Sequence, residues 1–127
     1  MGSDGRAVAT YGILHIGKPH PRFYGTFPRV PGKYVKEEGV LKLEDAIRRM
    51  TSYPAQTYKI KYKGLLKEQM DADIVIFDPT TIVDKATFQD PHQYPEGIEY
   101  VIVGGEIVVE KGKHTGALLG KPLSLQR

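Results

Sequence analysis

The sequence predicts an α+β fold whose C-terminal half is mainly β. Three observations carry this. Leu43, Ala46, Ile47 and Met50 recur at i, i+3, i+4 and i+7, which places them on one face of a helix. From Tyr58 the period falls to two, and apolar runs rich in Ile and Val follow. Tyr100–Val103 and Glu106–Val109 flank Gly104-Gly105, and a two-residue Gly-Gly loop is the signature of a type I′ hairpin, which needs positive φ at both central residues. At 127 residues the chain is one domain or less, with a modest core.

Taken in order, residues 1–32 hold six Gly and four Pro with no sustained period, and read as a loop-rich segment of the kind that positions functional residues on a scaffold. Gly32 to Glu38 can make a short helix, with Tyr34 and Val35 packing. In the next helix, Glu44 and Asp45 in the first turn and Arg48 and Arg49 in the last suit the helix dipole. Pro54 marks its end. Tyr58, Ile60 and Tyr62 alternate with Lys59, Lys61 and Lys63, as in a half-buried strand, and Leu65-Leu66-Lys67 is a second short candidate. Asp71 and Asp73 open the next strand with both carboxylates on one side. Ile74–Phe77 is continuously apolar between Asp73 and Asp78-Pro79, as expected of a strand covered on both faces. Residues 80–95 form a long polar loop. The hairpin follows, then a turn at Gly112 and a small, glycine-rich tail.

Composition excludes several classes. A hydrophobic fraction of 40% and a charged fraction of 26% are those of a globular chain, not a disordered one. No stretch approaches the roughly 20 apolar residues of a membrane span, and no basic region followed by an apolar run marks a signal peptide. With zero cysteines there is no disulfide framework, which fits a cytoplasmic setting. The net charge of +3 is mild. Strict alternation puts Tyr58 and Tyr62 opposite the lysines, so the lysines read as a solvated face and no nucleic-acid partner is expected. Gly116 to Gly120-Lys121-Pro122 is one residue short of a phosphate loop and ends in Pro rather than Ser or Thr.

Two stretches carry the chemistry. Ser3-Asp4-Gly5 is a turn tripeptide whose carboxylate is a candidate acid–base group. About fifteen residues on stands His20-Pro21-Arg22-Phe23-Tyr24-Gly25-Thr26-Phe27-Pro28-Arg29-Val30. Together with Asp71-Ala72-Asp73-Ile74-Val75-Ile76-Phe77-Asp78-Pro79 and His114-Thr115-Gly116-Ala117-Leu118, this pattern resembles the N-acyl-D-amino-acid deacylases (D-aminoacylases) of the metal-dependent amidohydrolase superfamily. The resemblance implies that Asp4 matches the Asp ending the last strand of a catalytic TIM barrel. Asp4 would then shuttle the proton of a metal-activated water and, in an intact enzyme, ligate the metal. It implies that Arg22 anchors the substrate's free carboxylate, for which a planar two-pronged donor is suited. His20 joins the substrate-binding run, although a loop histidine before proline reads by itself as structural. A barrel needs roughly 250 residues, so the chain is expected to be a C-terminal fragment. Residues 1–57 would supply the end of the barrel with the last catalytic loop and following helices. Residues 58–127 would supply C-terminal strands of a small β-sandwich that lacks its N-terminal strands, leaving open edges and an exposed apolar face.

The family's metal ligands come from earlier strands. His15, His20, His92 and His114 are scattered here, with no H-x-H and no H-E-x-x-H. Zinc is thus expected in the intact family enzyme and no cofactor in this chain alone. Three positions depart from the family pattern: Pro31 replaces a leucine-like residue, Tyr62-Lys63-Gly64 replaces Asp-Arg-Gly, and Gln69 stands at a turn glycine. The reading is a part of a metal-dependent hydrolase cleaving the amide bond of N-acyl-D-amino acids, inactive alone. The alternative is a non-enzymatic β module that self-associates as a homodimer or complements a separately encoded barrel chain.

Overall fold

The computed structural model describes residues 1–123. They fall into two compact units, each made of separate stretches of chain. One comprises Gly2–Leu43 and Asp78–Gly97; the other comprises Met1, Glu44–Phe77 and the chain from Ile98 on. The architecture is α+β, as the periodicities predict.

The first unit is built on a helix whose first half the sequence reading missed and whose second half matches the short helix expected over Gly32–Glu38, with Val35 half-buried but Tyr34 exposed. Residues 1–32 are not loop throughout: α1 runs Arg22–Arg29 and continues as a π-helix over Val30–Glu37. Pro28 and Pro31 have no N–H to donate and crowd the preceding turn, and widening the turn to i→i−5 bonds accommodates them. The bond from Glu38 N–H to the Lys33 carbonyl (2.9 Å) has this spacing. Gly39, at φ 61, ends the helix, and the Tyr34 carbonyl accepts from Val40 and Leu41. The buried face consists of Tyr24, Gly25, Pro28, Val30, Pro31 and Gly32. Against it lies the returning segment, with Ile82 and Ala86 buried. Glycine is required at these contacts: a Cβ on Gly32 would stand 2.8 Å from the Ile82 carbonyl oxygen, and one on Gly97 would stand 2.5 Å from Ile82 Cα and N. Lys36 Nζ donates to the carbonyls of Thr80 and Ile82, fastening the π-helix to the same segment. As predicted, residues 80–95 form no strand beyond a single bridge between Val83 and Glu96.

The second unit takes in α2 (Leu43–Met50) from Glu44 onward. Its predicted inner face is real: Ala46 is buried, Leu43, Ile47 and Met50 are half-buried, and Arg48 and Arg49 are exposed. Pro54 does not end this helix. It lies in the first turn of α3 (Ser52–Thr57), where a missing N–H costs nothing. The strand expected over Tyr58–Lys63 is absent. Lys59 and Tyr62 adopt φ 54 and φ 63, which breaks any extended run, and Tyr58 and Tyr62 are exposed. Leu65 and Leu66 are likewise exposed and outside any strand. Gln69, where a turn glycine is common, takes φ 67.

Four antiparallel strands complete this unit in the order β1 (Ile74–Phe77), β2 (Ile98–Val103), β3 (Glu106–Glu110), β4 (Lys113–His114). Val75 pairs with Val101 and Val101 with Val109, and bulges interrupt the ladders at Ile76/Phe77 and Val101/Ile102. Gly104 and Gly105 have φ 58 and 87, the two positive values a type I′ turn requires. The β1 strand is not covered on both faces, because Val75 is 54% and Ile76 46% exposed. No residue of the sheet is buried. The two carboxylates before β1 do lie together: Lys63 Nζ pairs with Asp71 Oδ2 at 2.8 Å and with Asp73 Oδ2, while Asp73 Oδ1 accepts from Gly104 N–H.

Candidate functional site

The three residues singled out from sequence form one connected set within the first unit. The Ser3-Asp4-Gly5 turn is closed by the Ser3 hydroxyl, which accepts from Gly5 N–H at 3.3 Å. Asp4 sits at φ 47, a left-handed conformation that Asp tolerates better than most residues. A Cβ on Gly5 would stand 3.3 Å from Phe23 Cδ1, so the turn lies directly against the start of α1. Arg22, the first residue of that helix, reaches back to it. Its Nη2 donates to Asp4 Oδ2 at 2.9 Å and its Nε to the Asp4 main-chain oxygen at 3.1 Å. One guanidinium edge thus holds both the side chain and the backbone of Asp4. The Asp4 carboxylate stays 91% exposed and the Arg22 side chain 39%. The Arg22 guanidinium also lies 5.5 Å from the Phe23 ring centroid.

His20 joins the set through the backbone. Its Nδ1 accepts from Arg22 N–H at 3.0 Å, satisfying one of the donors that a helix start leaves unpaired, so the ring carries its proton on Nε2. The Phe88 ring packs edge-on at 4.9 Å. His20 therefore sets where α1, and with it Arg22, begins.

The same unit holds a cluster that sequence reading did not find. The buried Tyr24 hydroxyl meets His92 Nδ1 at 2.9 Å, and His92 Nε2 meets the Gly17 carbonyl at 2.8 Å. A carbonyl can only accept, so Nε2 carries the proton and Tyr24 donates to Nδ1. The His15 ring stacks on His92 at 3.8 Å. Burial, and then Tyr94 nearby, push the Tyr24 phenol above its usual range. Arg29 Nη1 meets Asp84 Oδ2 at 2.6 Å, and this bond holds the guanidinium above its already high value. Gly25 leaves room for Asp84, whose Cβ would lie 3.0 Å from an added methyl. The run from Tyr24 to Arg29 is thus tied to the returning segment at His92 and Asp84. The only sequence signal was that both His15 and His92 fall in loop-rich stretches.

No group of three or more His, Cys, Asp or Glu that could hold a metal occurs among the described residues. Asp4 offers one exposed carboxylate already paired with a cation, and His20 Nδ1 is taken by a backbone N–H. The donor set does not fit a catalytic metal, which takes at least three protein ligands. No helix among the described residues is long and apolar enough to cross a membrane.

Comparison with known proteins gives consistent matches. The model of the amidohydrolase family matches residues 13–109. The chain is 38% identical to a D-aminoacylase of Alcaligenes xylosoxydans xylosoxydans over 117 residues, covering 92% of this chain and 24% of that protein. It is 44% identical to an N-acyl-D-aspartate deacylase of the same organism over 110 residues, covering 87% and 22%. Among solved structures, a D-aminoacylase mutant in complex with copper chloride superposes with a TM-score of 0.82 at 40% identity, over 85% of this chain and 23% of that one. An N-acyl-D-glutamate deacylase from Bordetella bronchiseptica, complexed with zinc and a phosphonate mimic of the tetrahedral intermediate, gives 0.71 at 43%, over 72% and 19%. The chain spans about a quarter of the length of the curated relatives it matches.

Proposed function

Because the chain belongs to the amidohydrolase family, we propose that it is the C-terminal part of a hydrolase that cleaves the amide bond of N-acyl-D-amino acids. Residues 1–57 would carry the end of the barrel with its last catalytic loop, and residues 58–127 the C-terminal strands of the small β-sandwich. The observation that supports this reading most is the pairing of Asp4 with Arg22 across 18 residues, which gathers a proton carrier and a carboxylate anchor in one place. Asp4 would take a proton from the attacking water and return it to the departing amine nitrogen as the C–N bond breaks, giving a carboxylate and a free D-amino acid. Arg22 would hold the amino acid's own carboxylate. Zinc, with which one relative was solved, would be held in the intact enzyme by residues outside this chain together with Asp4. The cysteine-free composition suits a cytoplasmic enzyme.

The test is reconstitution. The purified chain alone should neither take up stoichiometric zinc nor hydrolyse an N-acetyl-D-amino acid. Mixing it with a D-aminoacylase lacking the matching quarter should restore turnover, Asp4→Ala should abolish that turnover, and Arg22→Ala should mainly raise KM. Full turnover with Asp4→Ala would overturn the role of Asp4. A second reading has its own support, since every apolar side chain of the sheet stays at least partly exposed. On that reading the chain is a β module that closes its sheet on a second copy or on a separate barrel chain.

A further inference from the structure

Arg22 has two partners to serve on the reading just given, Asp4 and the substrate, and the geometry says how it serves them. A guanidinium presents two flat donor edges. The side edge, formed by Nε–H and one Nη2–H, is wholly taken by Asp4, at 3.1 Å to the main-chain oxygen and 2.9 Å to Oδ2. The bond to Oδ2 turns the Asp4 carboxylate toward Arg22. A substrate carboxylate meeting Arg22 in this state would stand beside a second carboxylate on a single positive charge, and like charges at such distances repel. The bond to be given up is an easy one to break, because Asp4 is 91% exposed and the pair is screened by water. Asp4 also keeps its place without it: the Ser3 hydroxyl closes the turn and Gly5 packs on Phe23. Arg22 is likewise held from behind, by His20 at its backbone and by Phe23 beside its guanidinium.

Resting on the assignment of Arg22 as carboxylate anchor, we propose that the substrate's carboxylate exchanges with the Asp4 carboxylate on Arg22, so that filling the carboxylate subsite is what frees Asp4. No covalent bond is made or broken in this step. It couples recognition of an acidic ligand to release of the proton carrier, and a ligand without a carboxylate would leave Asp4 held. Arg22 is then a positioning residue for Asp4 in the empty site and a binding residue in the filled one.

The experiment titrates the full chain with N-acetyl-D-glutamate while following the Arg22 Nε and Asp4 Cγ resonances by NMR. Exchange requires both to shift with one apparent Kd, and requires the corresponding diamide to shift neither. Asp4→Asn, which removes the competing charge, should tighten binding about two- to fivefold, as expected for loss of an exposed pair. A shift at Arg22 with Asp4 unmoved, or an affinity unchanged or weakened in Asp4→Asn, overturns the exchange and spares the anchor. If neither resonance moves, the anchor assignment fails and the exchange with it.

Discussion

At Lys63 one ammonium group serves two carboxylates, and the consequences can be read in its stability. The bonds to Asp71 and then Asp73 hold the Lys63 amine above its usual range; the Lys63 bond and then the Gly104 N–H hold the Asp73 carboxyl below its own. A lowered carboxyl contributes stability above its unfolded pKa, about 3.9, and that contribution is lost as pH falls through the folded value. A raised amine contributes below its unfolded pKa, about 10.4, and its contribution is lost as pH rises through the folded value. Lys63→Met should therefore cost up to ~1 kcal/mol near neutrality, discounted for the partial exposure of all three groups. The gap from the parent chain should close in strong acid, and urea melts at several pH values measure both. Tyr24→Phe acts elsewhere: it leaves His92 Nδ1 without its donor, at a cost of roughly 1 kcal/mol. A melting temperature unchanged by that substitution would show the bond contributes nothing.

Elements differ in how far their own residues determine them. The α2 face and the Gly104-Gly105 hairpin were legible because their signals are local: a 3.6 period over eight residues and two glycines at the one turn that requires them. The α1 helix was not, since Gly25 and Pro28 look like breakers in sequence. They are tolerated because Asp84 and the Ile82 segment, more than fifty residues away, close on that face. Tyr58–Lys63 failed in the opposite sense, with perfect alternation but no neighbouring strand and positive φ at two of its residues. In the site, the Ser3-Asp4-Gly5 turn and Arg22 could be named from sequence, but the Tyr24–His92 bond spans 68 positions and left no local trace. The glycine contacts are the sharpest element-scale test. Gly97→Ala combines φ 83 with a Cβ 2.5 Å from Ile82 backbone atoms, and should cost at least ~2 kcal/mol. Gly12→Ala, also at positive φ but in open space, should cost only about 1 kcal/mol. Equal losses in thermal melts would contradict the packing described for Ile82.

For the whole molecule, the sheet decides solution behaviour. Val75, Ile76 and Ile107 are exposed, and β1 has a strand on one side only. The sedimentation mass of the chain should rise with concentration, and Val75→Lys, which places a charge on that edge strand, should lower it. A monomer at every concentration would remove the self-associating reading.

The interleaving of the two units has a further consequence, for the timing of synthesis. The ribosome releases Gly2–Leu43 before Glu44–Phe77, and only afterwards the Asp78–Gly97 stretch that packs on Gly32. At 5–20 residues per second, the nascent α1 segment waits seconds with its apolar face uncovered. The same holds in reverse for β1, which emerges well before β2. Neither unit can finish folding on the ribosome until the other has been partly made, so this chain should depend on chaperones during translation more than its size suggests.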